Sequence, residues 1–322
     1  MAERGVAVSE AAVGRRRVLL AAPRSFCAGV ERAIDVVELA LQRYGRPVYV
    51  RRQIVHNTHV VRDLESKGAV FVGELEDVPD GAVVVLAAHG VAPAVREQAT
   101  RRSLLTIDAT CPLVAKVHRE ARRYADAGYA IVLVGHADHE EIVGTVGEAP
   151  DDIAVVASLD DVIDLRVPDD RRVAYLTQTT LATDETGQVV EALRARFAEL
   201  EGPAADDICY ATQNRQDAVR LLAAECDLIL VVGSRNSSNS NRLVEVSRRA
   251  GCPAHLIEDE SEIDPSWIDG AATIGLTAGA SAPDVLVSEL IDALGERYEI
   301  QLEEVAPRRE NVTFKLPRAL VG

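Results

Sequence analysis

VLLAAPRSFCAGVERAIDVVELALQRY, residues 18–44, sets a pattern that the rest of the chain repeats. The apolar run 18–22 reads as a buried strand and Pro23 breaks it. From Val30 onward the apolar residues fall at Val30, Ile34, Val37, Leu41 and Tyr44, the spacing of one helix face. Cys27 therefore stands where a strand hands over to a helix. Ligands of α/β sheets gather at the carboxyl ends of strands, and the backbone dipole at a helix N-terminus favours a thiolate. The other reading of a lone cysteine is a small buried apolar residue. Two later cysteines in similar settings shift that balance.

Outward from this stretch the alternation continues. Strand 48–55 precedes a helix from Asn57 to Lys67 with Asn57 as its cap, then come strand 69–72, the turn Pro79-Asp80-Gly81 and a strand ending at His89-Gly90. Strand 104–110 leads to Cys111-Pro112 and a helix over 113–128, with Pro112 suited to a first turn. Strand 130–136 ends at His136, and strand 173–180 ends in the TQTT run. Cys209 heads a third block with helix 215–225, strand 227–234, the stretch SRNSSNSNR and a helix over 243–251. Strand 273–281 and helix 283–298 complete that block, and the tail, with IQLEEV and NVTFKL, reads as one or two closing strands.

The β-α-β order predicts parallel sheets with helices on their faces. Cys27, Cys111 and Cys209 each head a block of similar layout. The expected fold is therefore α/β, with three similar domains of mainly parallel sheet in a pseudo-threefold arrangement around one central point. The expected boundaries are a disordered N-terminal extension (1–16), three α/β domains (17–110, 111–206 and 207–298) and a C-terminal tail (299–322).

Composition narrows the function classes. With 48% apolar and 27% charged residues the chain reads as an ordinary soluble globular protein, and no apolar run approaches the roughly 20 residues of a membrane span. Glu3 and Glu10 in the first segment, ahead of an apolar stretch too short for a signal core, argue against a secretory or transit peptide, so a cytoplasmic protein is expected. A net charge of -16 argues against nucleic acid or an anionic membrane as the main partner. Five cysteines, an odd number with no C-x-x-C pair, fit neither a disulfide framework nor a zinc ribbon.

Three cysteines from three blocks are an unusual ligand set. Structural zinc closes with four ligands, and an iron-sulfur cubane normally takes four thiolates; three would leave one iron open to act as a Lewis acid. Cys226, in a helix-strand stretch, and Cys252, in the turn AGCPAH, read as structural. The strand ends carrying His56, His89, His136, His139, Thr179, Ser237, Ser238, Asn239 and Ser281 are the second signal. Hydroxyls, amides and imidazoles at helix N-termini can hold a phosphate without lysines. A solvated linker is the alternative for SRNSSNSN, and each histidine alone could be structural.

In this order PRSFCAGVERA, IVHN, AHG, DATCPLVAKVH, GHADHEEIVGT, TQTTL, DDICYATQNRQ, VGSRNSSNSNRL and TAGASAPD closely resemble the 4-hydroxy-3-methylbut-2-enyl diphosphate reductase family, which ends the non-mevalonate isoprenoid pathway. The resemblance runs from about residue 18 to the tail. It implies three α/β domains around a 4Fe-4S cluster held by Cys27, Cys111 and Cys209. It implies substrate binding by His56, His89, His139, Thr179, Ser237, Ser238, Asn239 and Ser281, with Glu141 as catalytic acid. The reaction it implies is reductive dehydroxylation of an allylic diphosphate to isopentenyl and dimethylallyl diphosphate. Electrons would come from a ferredoxin or flavodoxin, since no G-x-G-x-x-G follows any strand, and a monomer is the expected state. One departure stands out: the family's His-Pro-Glu is here His139-Glu140-Glu141, and Glu140 is expected to be a solvated surface residue.

Two other readings remain open at this level. A diphosphate hydrolase using zinc or manganese on the His and Glu groups leaves three cysteines without a task. An iron-sulfur sensor leaves the anion-binding groups unexplained.

Overall fold

Short apolar runs between amphipathic helices form strands covered on both faces, which is how parallel sheets are buried. The computed structural model describes residues 14–321. Its first part comprises β1 (Arg15–Ala21), α1 (Ala28–Tyr44), β2 (Val48–Arg51), α2 (Thr58–Ser66), β3 (Ala69–Val72), β4 (Val83–Leu86), α3 (Pro93–Arg101) and β5 (Leu105–Asp108). Next come α4 (Pro112–Asp126), β6 (Ala130–Val134), α5 (Glu140–Val146), β7 (Ile153–Val156), α6 (Leu159–Asp164), β8 (Val173–Thr177), α7 (Thr183–Arg196) and β9 (Leu200–Glu201). The last part is α8 (Tyr210–Ala223), β10 (Leu228–Val232), α9 (Ser238–Arg249), β11 (Ala254–Ile257), α10 (Pro265–Asp269), β12 (Thr273–Ala278), α11 (Asp284–Gly295), β13 (Glu299–Val305) and α12 (Arg318–Val321).

The strands make three sheets, ordered β3-β2-β4-β5, β7-β6-β8-β9 and β11-β10-β12-β1-β13, and every pair is parallel. The expected α/β class with three similar sheets is what the chain forms. In each sheet a leading strand (β2, β6, β10) lies between its two successors, and the fourth place is taken by β5, β9 and β1 respectively. Each fourth-place strand leads directly to a cysteine.

This corrects the reading of 17–110 as one unit. β1 pairs with β12 and β13 in the third sheet and makes no pair with β2. A strand that leads into a cysteine helix belongs to the sheet before it, and for the first such strand that sheet is the last one made. The chain thus closes into a ring. The tail contributes β13 to the same sheet, whereas residues 311–316 run without strand pairing and end in α12. Of the expected N-terminal extension, residues 1–13 lie outside the described residues, and Arg15 and Arg16 already belong to β1.

The strands' period of two divides the core. In β10, Leu228, Leu230 and Val232 pack with Leu286, Leu290 and Leu294 of α11, while Ile229 and Val231 pack with Leu222 of α8 and Leu243 of α9. Each such side chain, fully buried, is worth about 1.5 to 3 kcal/mol. No helix among the described residues is long and apolar enough to cross a membrane.

Candidate active site

Each of the three cysteines is the N-cap of a helix: Cys27 of α1, Cys111 of α4 and Cys209 of α8. Their backbones are hung alike. Cys27 N–H donates to Ala280 O just past β12, Cys111 N–H to Ala88 O just past β4, and Cys209 N–H to Thr179 O just past β8. One hydrogen bond per sheet therefore ties a cysteine to the next strand's end, where the polar groups stand.

The Cys27 and Cys111 thiols meet against the first turn of α1. A Cβ placed on Gly29 would fall 2.8 Å from Cys111 Sγ and 3.7 Å from Cys27 Sγ, so only glycine leaves room for them. Thr212 Oγ1 lies 3.2 Å from Cys209 Sγ. Burial pushes Cys111 up to about 12 and Cys209 up to about 11, with the facing thiols adding to it. Burial thus outweighs the dipole that would favour thiolates. Cys111 and Cys209, which resist ionising alone, suit a cationic centre that would favour their thiolates. The donor set and the cradle at Gly29 fit an iron-sulfur cluster. Gly29→Ala should lower iron retention while the melting temperature stays close to that of the parent; iron per chain beside a thermal melt checks it.

Beyond the thiols, the six ends of leading and third-place strands close one cavity of about 100 Å³. The first sheet contributes His56 and His89, the second His139, Glu141 and Thr179, and the third Ser237, Ser238, Asn239 and Ser281. All the site residues that the family resemblance implies thus line a single space with the three cysteines. His136 does not; its Nε2 lies 2.7 Å from Arg242 Nη2, outside that cavity.

Local sequence explains the placement. Asn57 caps α2 by accepting from Val60 N–H, holding His56 at the mouth of the turn. His139 caps α5, its Nδ1 accepting from Glu141 N–H at 3.2 Å. The stretch read as a loop before residue 243 is instead the first turn of α9, which starts at Ser238. Its Ser and Asn side chains bond one another and the neighbouring strand end. Asn239 Nδ2 donates to Ser237 Oγ at 2.7 Å, and Ala280 N–H donates to Asn239 Oδ1 at 2.6 Å. Ser281 Oγ donates to His56 O at 3.0 Å, tying the first and third sheets together.

Glu141 is 2% exposed and accepts from Thr179 N–H at 2.7 Å and Thr179 Oγ1 at 3.0 Å. Burial nonetheless lifts its carboxyl to about 7. His56 and His89 stack with ring centroids 4.0 Å apart, and His139 meets both edge-on. Burial lowers His56 to about 3 and His139 to about 4, and the nearby His89 adds to both shifts.

Glu140 is not the solvated residue expected. Its side chain is 20% exposed, with Oε2 3.4 Å from His89 Nδ1 and Oε1 3.7 Å from Arg52 Nη1. Burial pushes its carboxyl up, but His89, His56 and Arg52 more than offset this and hold it at about 2. As the first residue of α5 it points toward the first sheet, while Glu141 points toward Thr179. Groups missed from the sequence are Gly29, Thr212 and Gln178. The last donates to Thr180 Oγ1 at 2.8 Å and accepts from His136 N–H at 3.1 Å. Its place in the TQTT run was the available signal.

The model of the LytB protein family matches residues 18–295. A 4-hydroxy-3-methylbut-2-enyl diphosphate reductase of Acidothermus cellulolyticus is 59% identical over 95% of this chain and 90% of its own length. One from Mycolicibacterium paratuberculosis is 55% identical over 95% and 92%. Among solved structures, the E-1-hydroxy-2-methyl-but-2-enyl-4-diphosphate reductase of Plasmodium falciparum is similar with a TM-score of 0.93 and 38% identity, covering 95% of this chain and 97% of that one.

Proposed function

The chain belongs to the LytB protein family, and from that premise we propose that it removes the hydroxyl of (E)-4-hydroxy-3-methylbut-2-enyl diphosphate reductively. The products are isopentenyl and dimethylallyl diphosphate. The observation that carries this reading is the convergence of three cysteine-capped helices on a cavity whose other walls are anion donors and one buried acid. Cys27, Cys111 and Cys209 would hold a 4Fe-4S cluster. When bound, such a cluster supplies one-electron transfer and an iron free of protein ligands that can act as a Lewis acid.

The chain's own groups do the rest. Ser237, Asn239 and Ser281, with the imidazoles of His56, His89 and His139, hold the diphosphate and so orient the allylic end toward the thiols. With substrate filling a cavity of only about 100 Å³ there is little room for water beside it, so a placed group is the better proton source. Glu141 is that group: with its carboxyl lifted to about 7, a substantial share of it, roughly half, keeps its proton at neutral pH. Two electrons from a separate carrier, a ferredoxin or flavodoxin, and two protons break the carbon-oxygen bond, release water and leave a carbon-hydrogen bond on the allylic chain. Anaerobically purified protein should bind about four irons, absorb visible light and convert the substrate with an artificial reductant. Colourless protein that only released phosphate would overturn the reading in favour of a hydrolase.

The diphosphate donors give a separate expectation. Losing one charge-assisted hydrogen bond costs about 1.5 to 3 kcal/mol, or roughly ten- to a hundred-fold in affinity. Ser237→Ala, Asn239→Ala and His89→Ala should each raise the substrate's Kd by that factor and leave the visible spectrum unchanged. Titration calorimetry under nitrogen measures it, and unchanged binding in all three would place the diphosphate elsewhere.

A further inference from the structure

Each cysteine helix carries a cation shortly after its cap: Arg32 on α1, Lys116 on α4 and Arg215 on α8. None of them serves its own cysteine first. Arg32 Nη1 donates to Ala109 O at 3.0 Å and Thr110 O at 3.1 Å, the two carbonyls just ahead of Cys111. Lys116 Nζ donates to Ala205 O at 2.6 Å and to Asp207 Oδ1 at 2.8 Å, in the loop that delivers Cys209. Arg215 Nη2 donates to Ser25 O at 2.7 Å and Phe26 O at 3.4 Å, the residues ahead of Cys27. The order is cyclic, 27 to 111 to 209 and back to 27.

The contacts are built, not incidental. Arg215 is 1% exposed, and its guanidinium is neutralised by Glu310 of the tail at 3.0 Å. Asp207, 4% exposed, links Lys116 on one oxygen to Thr177 N–H at 3.0 Å on the other, at the end of the strand that carries Thr179. Arg32 Nε also holds Lys315 O at 2.8 Å, so the tail crosses two of the three contacts. A carbonyl-rich loop ahead of a helix cap has few internal partners of its own, and a cation that collects its carbonyls fixes where the cap, and hence the thiol, stands.

We propose that Arg32, Lys116 and Arg215 form a cyclic clamp, in which each cysteine's helix positions the loop of the next cysteine, so that the three thiols are held in ligating geometry as one unit. They are positioning residues, and none of them lines the cavity. The inference rests on the cluster reading above.

The test uses anaerobically loaded holoprotein treated with an iron chelator in the presence of iodoacetamide, which traps each thiol as it is freed. Iron release is followed by absorbance and the labelled cysteine by peptide mass spectrometry. Arg32→Gln and Lys116→Gln should release iron roughly tenfold faster, the effect of one lost charge-assisted hydrogen bond. First labelling should fall on Cys111 in Arg32→Gln and on Cys209 in Lys116→Gln, one step round the ring from the altered helix. Arg215→Gln should free Cys27 first, and Arg32→Lys should restore wild-type release. Release at the wild-type rate, first labelling on the altered helix's own cysteine, labelling spread in wild-type proportions, or early labelling of Cys226 and Cys252 would each overturn the clamp. Wild-type protein that bound no iron would instead defeat the cluster reading itself, which keeps the two failures apart.

Discussion

Serine at Cys27, Cys111 or Cys209 is expected to leave the purified protein nearly free of iron and of visible absorbance, whereas serine at Cys226 or Cys252 should leave both intact. The first three share one structural position, a helix cap hung from a strand end and facing a common cavity. A hydroxyl there cannot replace a thiolate as a soft ligand for iron. The other two lie behind the third sheet. Cys252 is 3% exposed in the cluster with Leu222 and Val246, and its Sγ donates to Cys226 O at 3.2 Å. Serine at Cys252 exchanges a small apolar side chain for a hydroxyl in a buried place, so the expected cost is stability, about 1 to 3 kcal/mol. Iron per chain, the visible spectrum and a melting curve for all five variants separate the two outcomes. A Cys226→Ser protein bleached as fully as Cys209→Ser would refute the ligand assignment.

Why these cysteines could be singled out in the sequence, while other parts of the site could not, follows from the range of the forces involved. Strand, Pro or Gly break, cysteine and amphipathic helix are all encoded within about 25 residues, and so is the capping of α2 by Asn57. The ring closure of β1 onto β12 joins residues over 250 positions apart through backbone bonds that leave no mark on side-chain pattern. The start of α9 was hidden because Ser and Asn disfavour helix interiors, yet in this first turn their side chains bond one another and the Ala280 N–H of the neighbouring strand end. Glu140 looked solvated because nothing in HADHEEIV shows that Arg52 and His89, from another sheet, come to meet it. The clamp cations were equally silent, since each one's partner is the loop ahead of the next cysteine.

Glu141→Gln should keep its cluster and bind substrate but turn over at least about 100-fold more slowly, the low end of what a general acid contributes. Hydroxide is a poor leaving group unless protonated, and Glu141 is the buried carboxyl held by Thr179 at the cavity wall. Because burial raises its proton affinity, the protonated acid is the form the fold prefers. Wild-type kcat should therefore fall as pH rises through about 7. The stability contribution follows the same sign: it is fully present below an ordinary glutamate's 4.5 and is lost as pH rises through about 7. Glu141→Gln, which cannot ionise, should gain on the wild type between pH 5 and pH 8 by up to roughly 3 kcal/mol, read from denaturant titrations at the two pH values. Glu140→Gln should behave differently. Its carboxylate stands 3.4 Å from His89, one of the proposed diphosphate donors, where it would repel the anion, so removing the charge should leave kcat near wild type and tighten substrate binding. Both variants measured under saturating reductant decide between the carboxylates. A dead Glu140→Gln beside an active Glu141→Gln would reverse the assignment, and two active variants would move the proton source to water or to the substrate's own diphosphate.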